Sequence, residues 1–405
     1  MTSTLPEPLA RFSTVQGVEV ERAPAQWPAG FRAAGVEAGL KASGGPDLAV
    51  IVNEGRTDTA AVRLTVNRFA AAPVLWTREA VGDGRIRAVV ANSGGANACT
   101  GPEGFQDTHA TAERLGELLG VSAADVAVAS TGLIGERLPR EKVLAGAEAA
   151  CAGVRRDSVE ETARAVMTTD SKPKAAAVTL PGGSRIVGIA KGAGMLAPSL
   201  ATMLVFLCTD AEISAEEADA ALGEACAVSF DHADSDGCMS TNDTVLLLAS
   251  GEAAREDAAA FTAGLTALCQ DLAYQLIDDA EGAAHTIAVT VESAASVEDA
   301  RTAARAVCRS NLVKTAIFGA DPNWGRILSA LGTTACAFEP GDVSVRVNGV
   351  EVSRAGGLGE DRSLVDLAPR EASIVIGLGA GDAEATILTS DLTHEYVHEN
   401  SAYSS

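Results

Sequence analysis

Lysine is scarce in this chain: six lysines stand against 25 arginines in 405 residues, and 54 acidic residues leave a formal net charge of −23. Binding to phosphates needs basic patches, so this balance argues against a nucleic-acid or anionic-membrane partner. It is compatible with cationic small molecules, although most of the charge serves solubility. Cys-x-x-Cys pairs are absent too. The eight cysteines, at 99, 151, 208, 226, 238, 269, 308 and 336, are scattered. That argues against a disulfide framework or zinc site and for reduced, mostly buried apolar side chains. No apolar run approaches membrane-spanning length. The N-terminus lacks a basic region followed by an apolar core. A cytoplasmic protein with no membrane contact is the expectation. No loop has EF-hand spacing; the polar cluster Asp236–Thr244 reads as hydrogen-bonded bracing, and no metal is expected. Internal repeats and low-complexity linkers are also missing.

What remains is long enough for two domains or one large α/β unit. Residues 1–29 carry Pro6, Pro8, Pro24 and Pro28 and read as a leader into the first packed element. Runs rich in β-branched residues predict strands at 47–52, 60–66, 85–91 and 125–130. Residues 203–208 and 245–248 are apolar throughout and must be buried strands. Helices are predicted from about 105 to 119, over 157–167, and from the capping box Ser214-Ala215-Glu216-Glu217 to about 228. Phe261, Leu265, Leu268, Leu272 and Leu276 form the core stripe of a helix over 257–278. Pro181-Gly182-Gly183-Ser184 and Asn348-Gly349 are hairpin turns. Residues 286–292 alternate like a half-buried strand, a further helix starts at Ser296, and two more strands lie near 373–378 and 384–390. The fold class is α/β, with mixed β-sheets flanked by helices.

The chain is organised around Lys191-Gly192-Ala193-Gly194-Met195-Leu196-Ala197-Pro198-Ser199-Leu200-Ala201-Thr202. Two glycines and a proline make this a loop able to hold unusual backbone angles, and a buried strand follows it. The Ala201–Thr202 bond sits where the loop meets the strand. Attack of the Thr202 hydroxyl on the Ala201 carbonyl, acyl shift from nitrogen to oxygen, and loss of the acyl group to water would cut the chain there. The new α-amine, with an ordinary pKa of about 7.7–8.0, could then take the proton of its own hydroxyl, the threonine form of an activated nucleophile.

Six further segments join this one. Asn92-Ser93-Gly94-Gly95-Ala96-Asn97, Ser130-Thr131-Gly132-Leu133-Ile134-Gly135, Met167-Thr168-Thr169-Asp170, Ser240-Thr241-Asn242-Asp243-Thr244, Asp321-Pro322-Asn323-Trp324-Gly325-Arg326 and the tail Glu399-Asn400-Ser401-Ala402-Tyr403-Ser404-Ser405 occur in order along nearly the whole chain. Together they resemble the ornithine acetyltransferase family, the bifunctional glutamate N-acetyltransferases of arginine biosynthesis. The resemblance implies a fold shared with N-terminal-nucleophile aminopeptidases. It implies cleavage at Ala201–Thr202 into an α chain of 1–201 and a β chain of 202–405, assembled as an α2β2 heterotetramer, with about 286–390 as a candidate smaller lobe. Thr202 is then the catalytic nucleophile and Thr131 and Gly132 the oxyanion hole. Thr168, Lys191, Thr202, Glu281, Asn400 and Ser405 bind substrate. Acetyl passes from N2-acetylornithine to glutamate through acetyl-Thr202, with no cofactor and with acetyl-CoA as a candidate second donor. The family usually has lysine where this chain has His285. An aminopeptidase or amidohydrolase passing the acyl group to water, and an acetyltransferase of a secondary pathway, are the alternatives. An uncleaved structural homologue fits least, because Thr131, Gly132, Lys191, Thr202 and Glu281 are all present.

Overall fold

The structure, a computed structural model, describes residues 2–3, 5–197 and 203–402. It divides into two compact units. Val15–Asp231 and Cys238–Leu276, with the first residues of the chain, form one; residues 5–14, His232–Gly237 and everything from Ile277 form the other.

In the first unit the strands are β1 (Thr2–Ser3), β2 (Val20–Arg22), β3 (Phe31–Val36), β4 (Leu48–Asn53), β5 (Thr59–Leu64), β6 (Ala88–Asn92), β7 (Val126–Ser130), β8 (Lys174–Thr179), β9 (Arg185–Lys191), β10 (Leu204–Thr209) and β11 (Thr244–Ala249). The helices are α1 (Ala72–Ala80), α2 (Gly101–Leu119), α3 (Arg140–Gly153), α4 (Val159–Val166), α5 (Ala215–Ala227) and α6 (Ala258–Asp278). One sheet runs β1-β2-β8-β9-β10-β11-β5 and the other β3-β4-β6-β7. Both are mixed: β10–β11 and β6–β7 are parallel, the remaining pairs antiparallel.

The sheets share one core, in which Ala49, Ile51 and Val89 of the small sheet meet Leu204, Phe206 and Leu246 of the large one. Behind the small sheet, Val50, Val90 and Val128 pack on Ala112 and Leu115 of α2 and Val143 of α3. On the other face of the large sheet, a Cβ added to Gly188 of β9 would lie 2.9 Å from Leu272 of α6. The order of layers is helix, sheet, sheet, helix. Every residue of β10 and β11 is therefore buried on both faces, which is why these strands read as unbroken apolar runs. Ser214 and Glu217 close a reciprocal capping box at the start of α5, as the sequence predicts.

The second unit adds β12 (Thr286–Ala294), β13 (Ser344–Val347), β14 (Val350–Arg354), β15 (Gly357–Leu358), β16 (Glu371–Gly377) and β17 (Ala383–Ser390), with α7 (Val297–Cys308), α8 (Asn311–Phe318), α9 (Trp324–Leu331) and α10 (His394–Ala402). Its sheet order is β15-β14-β13-β16-β12-β17. Asn348-Gly349 turns β13 into β14.

Three expectations are corrected here. β12 is not half-buried: flanked by β16 and β17, it is buried at residues 286–291, because α7 and the N-terminal segment both pack on it. Residues 1–29 are not a leader, since Leu9 and Trp27 have no exposure and Phe12 has 2%. Trp324-Gly325-Arg326 form the first turn of α9, capped when the Asn323 side chain accepts the Arg326 N–H at 3.2 Å. None of the eight cysteines is joined in a disulfide, but only four of the expected buried thiols are buried, and Cys99 and Cys238 are exposed. No helix among the described residues is long and apolar enough to cross a membrane.

Candidate active site

β6 and β7 run parallel in register Asn92↔Ser130, so their carboxyl ends leave the sheet side by side. The loops that follow are joined, with Gly95 N–H on Thr131 O at 3.0 Å and Ala96 N–H on Leu133 O at 2.9 Å. Asn242 ties them from outside: its Nδ2 donates to Ala96 O at 2.6 Å and Ser130 O at 2.7 Å. Gly132 has φ +131°, and a Cβ there would stand 2.7 Å from Gly95 N. Angle and close approach both demand glycine.

Thr131 and Gly132 differ in which donor they have to offer. The Thr131 N–H is used internally, on Asn92 O at 3.0 Å. Its hydroxyl instead accepts from Lys191 Nζ at 3.1 Å. An ammonium only donates, so the threonine's own hydroxyl proton remains to be given to a ligand. The Gly132 N–H has no hydrogen-bond partner among the described residues. One hydroxyl and one backbone N–H, beside a lysine that is 1% exposed, can stabilise negative charge developing on an acyl oxygen.

Lys191 ends β9, and its charge is one of several packed together. Asp170 Oδ1 accepts from Lys174 Nζ at 2.5 Å and from Gly192 N–H at 2.7 Å, while Oδ2 accepts the Thr168 N–H at 3.0 Å. Neither side chain of the Lys174–Asp170 pair is exposed. Burial pushes the Asp170 carboxyl up, but the Lys174 and Lys191 charges and these hydrogen bonds outweigh it and hold it at about 2. Asp243 sits on the other side of the same lysine. Its Oδ1 accepts the Met203 N–H at 3.1 Å, and Thr244 N–H donates to Met203 O at 3.1 Å, so Met203 is clamped at both polar atoms. Asp243 Oδ2 has no hydrogen-bond partner among the described residues. Burial pushes this carboxyl well above the ordinary range, against the opposing Met203 N–H, Lys191 charge and Ser240 hydroxyl.

Thr131, Gly132, Thr168 and Lys191 are thus gathered into one cluster of the first unit. Ala201, Thr202 and Ser405 lie outside the described residues. Glu281 and Asn400 belong to the second unit, where Asn400 Nδ2 donates to Glu281 Oε2 at 2.9 Å. This pairing follows from Gly282: at φ +59°, its added Cβ would lie 2.2 Å from Tyr396 N, so α10 passes directly over it. His285 is buried nearby, with Nδ1 2.7 Å from Asp391 Oδ2 and Nε2 3.0 Å from Leu367 O. Asp170 and Lys174 were not among the site residues expected from sequence, whereas Asp243 lies in the Asp236–Thr244 cluster read there as hydrogen-bonded bracing. The available signal was Lys174 itself, a rare lysine opening a run of alanines four residues after an aspartate. No group of three or more potential metal ligands occurs among the described residues.

A double-sheet α/β sandwich with buried, preorganised donors on a glycine turn is the arrangement of an acyl-transfer enzyme. Residues 32–405 match the model of the ArgJ family, and the chain belongs to that family. It is 56% identical over 377 residues to the arginine biosynthesis bifunctional protein ArgJ of Streptomyces coelicolor, covering 93% of this chain and 98% of that one. Identity to the protein of the same description from Mycobacterium tuberculosis is 50% over 386 residues, covering 93% and 96%. A crystal structure of ornithine acetyltransferase complexed with ornithine, from Mycobacterium tuberculosis, matches 44% of this chain and 98% of its own at 52% identity and a TM-score of 0.43.

Proposed function

We infer that this protein is a glutamate N-acetyltransferase that moves acetyl from N2-acetylornithine to glutamate, releasing ornithine, in arginine biosynthesis. The observation that carries the reading is Lys191 Nζ seated on the Thr131 hydroxyl beside the Gly132 N–H, in a chain whose relatives are bifunctional ArgJ proteins. Thr202 Oγ attacks the acetyl carbonyl, its proton passing to its own α-amine. Negative charge on the carbonyl oxygen is met by the Thr131 hydroxyl and the Gly132 N–H. The C–N bond breaks, ornithine takes the proton, and acetyl-Thr202 remains. Glutamate's amine then attacks, and the steps run in reverse. Thr168 and Lys191 bind the substrate. Glu281, Asn400 and Ser405 serve the amino-acid head, with the Glu281 carboxylate suited to an ammonium.

The same reading makes Ala201–Thr202 a self-cleaved bond, dividing the protein into α (1–201) and β (202–405) chains that assemble as α2β2 in the cytoplasm. Acetyl-CoA serves as a second acetyl donor for glutamate. One set of assays tests this. With N2-acetylornithine alone, the enzyme should release about one ornithine per site and stall, and mass spectrometry should find acetyl on the fragment beginning Thr-Met-Leu-Val. Added glutamate should restart turnover with parallel double-reciprocal lines. Thr202→Ala should stay uncut and inactive. Continuous ornithine release without glutamate would make the enzyme an amidohydrolase, and an uncut yet fully active wild-type chain would remove Thr202 from the mechanism.

A further inference from the structure

Lys174 and Lys191 stand on neighbouring antiparallel strands, Lys174 pairing in register with Ala190, the residue before Lys191. Their side chains are among the largest fully buried ones in the protein. Two lysines do not enter a dry interior without an anion, and Asp170 is that anion. Its bonds do more than neutralise. One carboxylate takes the backbone N–H of Thr168, which ends the segment after α4, and the backbone N–H of Gly192, the residue after Lys191. At Gly192 φ is +152°, so the chain leaves β9 in a conformation suited to glycine, held by that bond. Lys174 locks the carboxylate from the third direction.

We propose that Asp170, locked by Lys174, is a positioning residue for acyl transfer: by pinning Gly192 and Thr168 to one carboxylate it fixes Lys191 Nζ on the Thr131 hydroxyl. The proposal rests on the reaction assigned above but gives the cluster a division of labour. Lys191 and Thr131 face the reacting oxygen, while Asp170 and Lys174 touch no substrate and set where those two stand. If the hydroxyl is to be preorganised, its proton must be directed by the ammonium that occupies its lone pair. A lysine on a loosened loop would leave that proton undirected.

The test is a cycle with Lys191, read both as acetyl transfer and as self-cleavage. Asp170→Asn combined with Lys174→Met removes both charges of the hydrogen-bonded pair, so Lys174 is not left buried without its carboxylate and only the charge of Lys191 remains. This double variant should fold, lose on the order of 10²-fold in kcat as displaced catalytic groups do, change KM less than about threefold, and cut its chain more slowly. In a Lys191→Met background the same two changes should cost less than about threefold further, because the pair acts through Lys191. A folded double variant with wild-type kcat overturns the proposal, and so do losses that multiply in the Lys191→Met background. Should the double variant not fold, Asp170→Glu keeps the charge and moves it by one methylene. It should retain the wild-type unfolding midpoint with reduced kcat, and wild-type kcat there is equally fatal. A wild-type enzyme unable to pass acetyl from N2-acetylornithine to glutamate would refute the assigned reaction instead, and the cleavage rates would still decide the role of Asp170.

Discussion

Asp170 and Asp243 flank the same lysine from different loops of the first unit, and neither is more than 8% exposed, yet their surroundings drive them apart. Asp170 takes a lysine ammonium and two backbone N–H groups, and is held at about 2. Asp243 faces no bonded ammonium, only the Met203 N–H and the Ser240 hydroxyl, and burial pushes it well above the ordinary carboxyl range. Burial alone does not decide the charge of a carboxyl; the number and charge of the donors facing it do. Burial disfavours the charged form of Asp243, while the donors around Asp170 favour its carboxylate, so the negative charge of this cluster is concentrated on the Lys174 side of Lys191.

The largest expected effect compares one substitution at both sites. Asp170→Asn leaves Lys174 buried without its anion, and breaking such a pair typically costs about 3–5 kcal/mol. Asp243→Asn replaces a carboxyl whose charged form burial disfavours by an amide of the same shape and should cost less than about 1 kcal/mol. Urea unfolding of the two variants measures the difference. Equal losses would mean that Asp243 is ionised after all.

The pH dependence separates the two carboxyls next, and the signs are opposite. Asp170 is depressed from 3.8 to about 2, so its stabilisation, about 2 kcal/mol, is present above pH 3.8 and lost as the pH falls towards 2. Asp243 is raised, so the folded state keeps a proton that the unfolded state releases. Stability must then decline as the pH rises above 3.8. Asp243→Asn should flatten that decline and leave the acid-side loss untouched. A melting temperature profile for wild type and variant across this range reads both, and an unchanged profile for Asp243→Asn would dissolve the contrast.

The sequence was a good guide to the hydrogen-bonded frame and a poor one to this electrostatics. Apolar runs at 203–208 and 245–248, the capping box at Ser214 and the hairpin at Asn348-Gly349 are local signals, and each stands where expected. Thr131, Gly132, Thr168 and Lys191 were named from motif resemblance, and they share one cluster. Lys174 could not be read as a partner of Asp170, because four residues of separation look like any solvated pair until β8 and β9 bury both. The use of the Thr131 N–H by Asn92 was likewise invisible, since it depends on two strands leaving a sheet in register. Misreadings came where tertiary cover overrides local pattern, as in β12 and the packed N-terminal segment.

A third carboxylate, Glu281 in the second unit, extends the comparison to the surface and carries the smallest stability effect. Its oxygen accepts from the exposed amide of Asn400, where water competes for both groups. Asn400→Ala should therefore change the unfolding free energy by less than about 0.5 kcal/mol, far below the loss at Asp170. If α10 is set over Gly282 for binding and not for stability, the same variant should raise KM for N2-acetylornithine with little change in kcat, because a contact made equally in the ground and transition states affects binding alone. A variant that unfolds more easily by over 1 kcal/mol while keeping its KM would make Asn400 a strut for the last helix and remove it from the substrate site. Its partner would then need another reason to place a carboxylate at 281, and Glu281→Gln, assayed with ornithine as product inhibitor, would show whether that charge meets an ammonium at all.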